Sequence, residues 1–456
     1  MRDAVAVIGV GCTKFGDLFD KSYEDLICEA AFEAYADAGI DPAEIQAAYL
    51  GTYLPGPAGG KAAVSLGDAL RLYDRPITRV ENYCATGTDA FRNACLAVAS
   101  GTYDIVLVLG AEKLKDRPGR GLPRLGHPLL AKGNSAPGLF ALAANRYMHT
   151  FGVGRDVLAK VAVKNHHNGA RNPKAHLRME ITEQKVLEAP IIAWPFGLFD
   201  CCPTTDGAAA AIVCKREIAP RFRNDYVLVK GVGLAVTSGR PYFDPTFDYL
   251  GFRSTQQAAR QAYEMAGLQP TDVDFAEVHD CFTWTELSNI EDLGFCRKGE
   301  APHWVREGRT QLAGDLPINP SGGLKSFGHP IGASGVRMIY ECVMQLRGQC
   351  GERQVRSPEI GLAHYGSVAF RDSEFRIGPI FKSELESDFG FSISCRPARS
   401  WHNACTIQCL ISVRTEGGEQ HGIHAAAAVQ GVRRNQFHRR ATSFGRARGF
   451  AALAVL

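Results

Sequence analysis

The residues best suited to chemistry are one cysteine, a histidine–cysteine pair and a second histidine. Cys84, in the stretch ENYCATGTDAFRNAC, lies where an apolar run gives way to small residues just before a predicted amphipathic helix. The positive end of a helix dipole and the free N–H groups there stabilise a thiolate. The pattern therefore indicates a nucleophile whose N–H could help bind an oxyanion, with Gly87 leaving room for a substrate carbonyl. The alternative is an ordinary buried cysteine.

His279 and Cys281 are two residues apart in EVHDCF, at the end of a predicted strand. Because residues i and i+2 of a strand share a face, we expect both to point at one substrate. A histidine and a second thiol would make an oxyanion donor and a proton shuttle. The alternative for His-x-Cys is half of a zinc site. No second pair with regular zinc spacing accompanies it, so the sequence predicts no metal site.

His329 lies in NPSGGLKSFGHPIGASG, the most distinctive stretch of the chain. These seventeen residues contain five glycines and no acidic residue. The glycines allow close backbone approach, and Pro330 restricts the Gly-His-Pro turn. The stretch is typical of a site, and its alternative is a solvated loop histidine.

An internal repeat indicates which elements position these residues. The segment 30–51 matches 258–279 at a constant offset of 228 residues. In both copies an amphipathic helix ends at a glycine, a short proline turn follows, and a β-like segment comes next. The repeat predicts two similar α/β halves. Cys84 and His329 would then occupy comparable strand-to-helix junctions, which could converge on one site.

Four regions follow from this organisation. They are a first half (1–115), a loop region that returns to the first half (116–235), a second half (236–370) and a divergent tail (371–456). The tail contains 11 Arg, 1 Lys and 7 acidic residues and shows no steady helix or strand period. We expect it to be an out-of-frame or degenerate extension, disordered and without the last strand of the second half. The alternative is an added tail that binds an anionic partner.

The composition excludes several classes of protein. The apolar runs of this 456-residue chain are too short to span a bilayer. The first residues lack the features of a signal peptide, and the fourteen scattered cysteines favour reduced thiols, so we expect a cytoplasmic protein. Outside the tail the net charge is −2, which does not favour nucleic-acid binding. IGVGCTKFG misplaces the third glycine of a dinucleotide-binding motif.

The ordered motifs NYCATG, HDCFTWTEL and NPSGGLKSFGHPIGASG resemble the thiolase superfamily, and within it the sterol-carrier-protein-type thiolases. The resemblance covers about residues 3–368. It implies an α/β fold of two similar βαβαβαββ halves that form a layered α/β/α/β/α core with an intervening loop domain. It also implies a homodimer that binds no permanent cofactor and uses CoA and acyl-CoA as substrates.

The resemblance further implies residue roles in a Claisen condensation or in CoA-dependent cleavage of a 3-oxoacyl-CoA. Cys84 would carry the acyl group as a thioester. His329 would activate Cys84 and, together with His279, form an oxyanion hole. Cys281 would act as acid and base on the α-carbon proton. Further oxyanion-hole or substrate-binding candidates are Gly332, Ser334 and Gly366. Candidates for contacts with the CoA phosphates, or otherwise a solvated face, are Lys113, Lys115 and residues 117–124.

The chain departs from the family pattern at GLAHYGSVAF, where the usual additional glycines are absent. Two other functions therefore stay open. One is a thiolase-like aldolase that cleaves CoA thioesters of steroid side chains. Such lyases use tyrosines, which Tyr365 could supply. The other is a non-catalytic subunit that associates with a small partner carrying a zinc ribbon and an OB-fold.

Overall fold

The structure is a computed structural model that describes residues 2–54, 59–117, 135–237, 246–366 and 374–383. They belong to one compact unit that ends at Leu385. The strands are β1 (Val5–Cys12), β2 (Ala47–Gly51), β3 (Ile77–Val80), β4 (Ile105–Glu112), β5 (Ile191–Ala193), β6 (Phe196–Gly197), β7 (Gly207–Lys215), β8 (Val227–Thr237), β9 (Phe275–Val278), β10 (Ile360–Gly366) and β11 (Glu374–Ser383). The helices are α1 (Tyr23–Ala38), α2 (Val64–Leu70), α3 (Thr86–Ala99), α4 (Ala136–Phe151), α5 (Arg155–Ala170), α6 (Glu183–Glu188), α7 (Arg253–Ala266), α8 (Thr283–Asp292), α9 (Ala301–Arg306), α10 (Gly323–Phe327) and α11 (Ile331–Leu346).

Nine of the described strands form one mixed sheet, in the order β3-β2-β4-β7-β1-β8-β11-β10-β9. β1 and β8 pair antiparallel at its centre. β7 lies next to β1 and β11 lies next to β8, and each is antiparallel to its central neighbour. Farther out, β4 and β2 run parallel to each other on one side, and β10 and β9 do so on the other. The strand order therefore repeats outward from the centre, which is the arrangement expected of a duplicated α/β unit.

The repeated segments adopt the same local structure in both halves. α1 and α7 each end at a glycine in the left-handed region, with φ of 64° at Gly39 and 67° at Gly267. This conformation favours glycine and terminates a helix. The helices lead into β2 and β9, as the sequence predicts.

Glycines in the two central strands allow these helices to pack closely on the sheet. A Cβ at Gly11 would lie 2.1 Å from the carbonyl oxygen of Ala30, and one at Gly233 would lie 1.9 Å from that of Ala258. Ala30 and Ala258 are equivalent in the repeat. Gly11 is thus a packing residue, which explains the near-match to a dinucleotide-binding motif.

The sheet is buried on both faces. Along β1, Val5 and Val7 belong to one apolar cluster, whereas Ala6 and Ile8 belong to another. Such fully buried strands read as continuous apolar runs because neither face meets water. No helix among the described residues is long and apolar enough to cross a membrane.

The structure has strands on both sides of two predicted boundaries. β8 begins at Val227, ahead of the predicted boundary at 236, and pairs with β1 at the centre of the sheet. The second half also has a strand beyond 370, because β11 pairs with both β8 and β10 over Glu374–Ser383. Its last strand is therefore present. Residues 384–456, the rest of the predicted tail, lie outside the described residues.

Candidate active site

Cys84 lies in a tight turn between β3 and α3. Tyr83, just before it, has a φ of 48°, which a residue with a side chain rarely adopts. The Thr86 hydroxyl stabilises the turn, since it accepts from the Asn82 N–H at 2.8 Å and donates to the Tyr83 carbonyl oxygen at 2.6 Å. Cys84 is half-buried, directly before the N-cap residue of α3. The turn thus presents the thiol beside the N-terminus of the helix.

His279 and Cys281 lie just after β9, which ends at Val278, rather than on the strand. The residue between them anchors the segment. The Asp280 carboxylate accepts from the N–H groups of Leu324 and Lys325, at 2.6 and 3.3 Å. Both site residues are buried. Strand alternation was therefore the wrong reason for grouping them, because hydrogen bonds to α10 fix this loop.

His329 follows a helix and not a strand. α10 ends at Phe327, and α11 begins at Ile331. Gly328 between them has a φ of 110° and leaves a Cβ no space beside Thr205. The predicted strand-to-helix junction is therefore a helix-to-helix turn, although it still places His329 before the helix N-terminus.

The structure brings three of the predicted site residues into contact range. The Cys84 sulfur and one ring nitrogen each of His279 and His329 all lie within 4.8 Å of one another. Cys281 is the fourth member, since burial raises its pKa and the nearby Cys202 and Cys84 raise it further. Tyr365 completes the group, with its ring centroid 4.7 Å from that of His279.

Burial sets the protonation states at rest. It lowers the pKa of His329 to about 3, and the nearby positive charge of Arg337 acts in the same direction. This imidazole is therefore neutral at physiological pH and can accept a proton or a metal ion. Burial raises the pKa of Cys281 well above that of an ordinary thiol, so Cys281 is present as the acid form.

Hydrogen bonds assign the His329 tautomer. The Ser334 hydroxyl donates to the Pro330 carbonyl oxygen at 2.8 Å, and its oxygen lies 2.9 Å from His329 Nδ1. Because its one hydrogen is already donated, the hydroxyl accepts from Nδ1–H. The Nε2 lone pair is then available to the site. Ser334 thus orients His329, and its assignment as an oxyanion-hole or substrate-binding residue stays a prediction.

Gly332 also differs from its predicted role. Its N–H donates to Glu112 Oε2 at 2.8 Å and is not available to an oxyanion. Glu112, at the end of β4, is fully buried and also accepts from the N–H groups of Tyr53 and Leu54, at 3.0 and 2.9 Å. Glu112 thus links the first half to the His329 helix. Sequence reasoning missed it, although a carboxylate ending a wholly apolar strand was a usable signal.

Glycines bring α3 and α11 into backbone contact. A Cβ at Gly87 would lie 2.7 Å from the Gly332 carbonyl oxygen, and one at Gly335 would lie 2.5 Å from the Thr88 nitrogen. Gly87 was expected to admit a substrate carbonyl, but it admits the neighbouring helix. This contact holds the turns of Cys84 and His329 side by side.

Tyr365 lies over the His329 imidazole. Its hydroxyl oxygen is 2.9 Å from Nδ1 and 3.3 Å from Nε2, and the residue is fully buried. A hydroxyl in the plane of the imidazole and in line with one nitrogen would be much farther from the other nitrogen. The two similar distances therefore place the Tyr365 hydroxyl against the face of the ring. Gly366 follows Tyr365 as the last residue of β10, opposite Arg376. Residues 367–373 lie outside the described residues.

Two predicted phosphate contacts have other partners. Lys113 is buried, and its ammonium group donates to the Leu18 carbonyl oxygen at 2.6 Å and to Asp206 at 2.9 Å. Lys115 pairs with Asp17 at 2.7 Å. These contacts support the first half and leave Lys113 unsuited to a phosphate. Arg117 is the last described residue of this stretch, and the candidates within 118–124 lie outside the described residues.

Comparisons with known proteins define the family. The model of the thiolase N-terminal domain matches residues 5–190, and that of the thiolase C-terminal domain-like family matches 242–377. An acetyl-CoA acetyltransferase of Methanothermobacter thermautotrophicus is 42% identical over 370 residues, which cover 80% of this chain and 96% of the relative. The chain therefore belongs to the thiolase family.

Two further relatives are informative. Sterol carrier protein 2 of Gallus gallus is 34% identical, over 80% of this chain and 70% of that protein. The solved Ltp2-ChsH2(DUF35) aldolase matches with a TM-score of 0.73 at 27% identity, over 84% of this chain and 98% of that chain. With these relatives, the chain is a thiolase-type acyltransferase whose substrates are CoA thioesters and which binds no permanent cofactor.

Proposed function

We propose that Cys84 takes the acyl group of an acyl-CoA as a thioester. The observation that carries this role is the convergence of the Cys84 sulfur with the His279 and His329 imidazoles within 4.8 Å. Nε2 of His329 accepts the thiol proton as sulfur attacks the thioester carbonyl. The same proton then passes to the departing CoA thiolate. His279 hydrogen-bonds the oxyanion formed in this step, which stabilises the developing charge.

Cys281 acts on the α-carbon in the step that breaks or makes the carbon–carbon bond, in which Cys84 gains or loses its bond to the 3-oxo carbon. In cleavage of a 3-oxoacyl-CoA, its thiol gives a proton to the α-carbon as the carbon–carbon bond to the acyl group breaks. In condensation, the thiolate removes that proton and the enolate carbon attacks the acyl-Cys84 carbonyl. The acid form held by burial is the one that cleavage requires. Gly366 is proposed to donate its N–H to the enolate oxygen.

Peptide mapping after incubation with acetyl-CoA tests these roles. An acetyl group should appear on the Cys84 peptide, and Cys84→Ala should lose it. The matched variant Cys281→Ser should still be acetylated but should form no acetoacetyl-CoA. Retained acetylation at another residue of Cys84→Ala, or loss of acetylation in Cys281→Ser with its fold intact, would contradict the assignment.

Tyr365 favours a second candidate, a lyase like the aldolase that the chain resembles. In this candidate the phenol, rather than Cys84, would act on a β-hydroxyacyl-CoA thioester. The discriminating measurement is turnover of such a substrate by Cys84→Ala. A lyase would turn over this substrate both in the parent and in Cys84→Ala, whereas a thiolase would turn it over in neither.

We further propose a cytoplasmic homodimer that can associate with a small zinc-ribbon and OB-fold protein. None of the eleven cysteines in the described part of the chain forms a disulfide, which supports a reducing compartment. The DUF35 component named in the related aldolase supports a partner of this kind. Light scattering of the purified chain should give the mass of two copies. A monomer would contradict the dimer.

A further inference from the structure

Cys84, His279 and His329, which we call the thiol–imidazole triad, have the ligand types of a zinc site. Thiolate sulfur and imidazole nitrogen bind Zn²⁺ at about 2.3 and 2.0–2.1 Å, which places tetrahedral ligand atoms roughly 3.3–3.8 Å apart. The triad atoms lie within 4.8 Å of one another, so about 1 Å of movement would close the widest pair. We propose that the triad binds Zn²⁺ reversibly and that the bound ion blocks acyl transfer.

His329 is already oriented as a metal ligand. Ser334 accepts from its Nδ1–H at 2.9 Å, which leaves Nε2 unprotonated and fixes the ring. Metal-binding histidines usually donate their other N–H to a protein group in this way, and such partners contribute 10- to 100-fold to metal affinity.

The triad should select soft cations over hard ones. It contains no carboxylate, whereas Mg²⁺ and Ca²⁺ require oxygen ligands. Two buried carboxylates lie near it in the fold, and both are occupied by backbone N–H groups. Glu112 accepts from Tyr53, Leu54 and Gly332, and Asp280 accepts from Leu324 and Lys325.

The triad lies at the edge of the buried region and leaves one position open. Cys84 is half-buried, whereas His279 and His329 are buried. Three protein ligands leave a fourth position for water or for a thiolate such as that of CoA. On binding, the Cys84 sulfur loses its proton to solvent and forms a bond to zinc. The lone pair that would attack a thioester is then engaged, and a chelator restores it.

Zinc protection of Cys84 from alkylation is the first test. The full chain is treated with iodoacetamide in the presence of ZnCl₂, and the modified Cys84 peptide is quantified. We expect alkylation to slow about tenfold or more, EDTA to reverse the effect, and MgCl₂ to have none. Unchanged alkylation of Cys84 in the presence of ZnCl₂ would overturn the proposal.

Variants distinguish the triad from binding by sulfur alone. Zn²⁺ should no longer protect Cys84 in His279→Gln, and Ser334→Ala should weaken the protective effect about tenfold. Cys28→Ser, which removes a half-buried thiol outside the triad, should behave like the parent. Equal protection in the parent and in a folded His279→Gln would overturn the three-ligand site.

Cobalt provides a readout that does not depend on the proposed function. Co²⁺ bound to a thiolate gives a sulfur-to-metal charge-transfer band. This band should appear in the parent and be lost in Cys84→Ser. If it appears while no acetyl group is ever transferred to Cys84, the metal site stands and the catalytic assignment fails. A band of equal strength in Cys84→Ser would overturn the metal site.

Discussion

The two halves of the sheet have the same strand arrangement but carry different residues at equivalent positions near the site. Two registers define the equivalence: Leu50 lies opposite Leu109 in the first half, and Val278 lies opposite His364 in the second. One residue further along, the first half has Gly51 opposite Gly110. The equivalent residues in the second half are His279 and Tyr365. The first half therefore has no side chain where the second half has two of its site residues.

Helix packing explains this difference. A Cβ at Gly110 would lie 2.2 Å from the Gly332 carbonyl oxygen, and one at Gly51 would lie 3.2 Å from the Thr86 side chain. The first half thus uses these positions to seat the helices that follow Cys84 and His329. The second half uses them to place an imidazole and a phenol. At these equivalent positions the first half therefore supports helix packing, whereas the second half carries site side chains.

Gly110→Ala should show the largest effect. The added methyl group would collide with the backbone of α11, which cannot move without shifting His329. We expect a loss of about 4 kcal/mol or more in unfolding free energy, measured by urea denaturation. The matched control is Gly16→Ala, whose Cβ would meet its nearest atom at 3.7 Å and should change stability little. A tolerated Gly110→Ala would break the proposed division between the halves.

Gly11→Ala and Gly233→Ala should destabilise the protein to a similar extent. Each would push a Cβ into a helix carbonyl oxygen, of Ala30 and Ala258 respectively. We expect each to cost about 2–3 kcal/mol. Urea midpoints of the two variants test whether the halves are equivalent at the sheet centre. A large loss in one variant alone would show that they are not.

Glu112→Gln should lower stability by about 1–3 kcal/mol at pH 5, because the amide would present a donor to backbone N–H groups. Burial raises the pKa of Glu112 to about 7, above its value in the unfolded chain. Between about pH 4.5 and 7, Glu112 is therefore protonated in the folded state and ionised in the unfolded chain. The stability that this bound proton contributes is lost as the pH rises through 7. The phenols of Tyr23 and Tyr53 lie close enough to interact with Glu112, and the Thr52 hydroxyl contacts its carboxylate at 3.4 Å.

The stability difference between the parent and Glu112→Gln should consequently shrink as the pH rises from 5 to 8. Urea denaturation at both pH values measures it. Glu112→Asp serves as the control, because it keeps a carboxylate and shortens its reach. A difference that stays constant or grows with pH would contradict a protonated Glu112 in the folded state.

Tyr365→Phe should show the smallest effect. It removes the hydroxyl over the His329 ring and leaves the ring that packs against His279. We expect about 1 kcal/mol, seen as a five- to tenfold lower kcat with little change in KM. Substituting the phenylalanine back to tyrosine should restore the rate. A hundredfold loss of kcat would show that the phenol reacts with substrate. An unchanged kcat would show that the hydroxyl has no part in the reaction.

Much of the fold and the family could be predicted from the sequence, because each motif and each copy of the repeat is a short continuous stretch. The repeat at a 228-residue offset predicted the paired halves, and the motifs around Cys84, His279 and His329 indicated the family that the comparisons establish. The sequence did not indicate the contacts that Gly87, Gly332 and Ser334 make within the fold. Their partners lie on other elements, so close approach to a helix and close approach to a substrate look alike in a sequence.

The tertiary structure alone decided the geometry of the site. The backbone contact of α3 and α11 brings Cys84 to His329, which is 245 residues away in the sequence. The same folding links Glu112 to Gly332 and lays Tyr365 over the imidazole. Burial then sets the protonation states of His329 and Cys281. Residue types and spacing determine which chemistry is available. Distances and the exclusion of water arise only when remote segments pack together, and they determine which groups can act on one another.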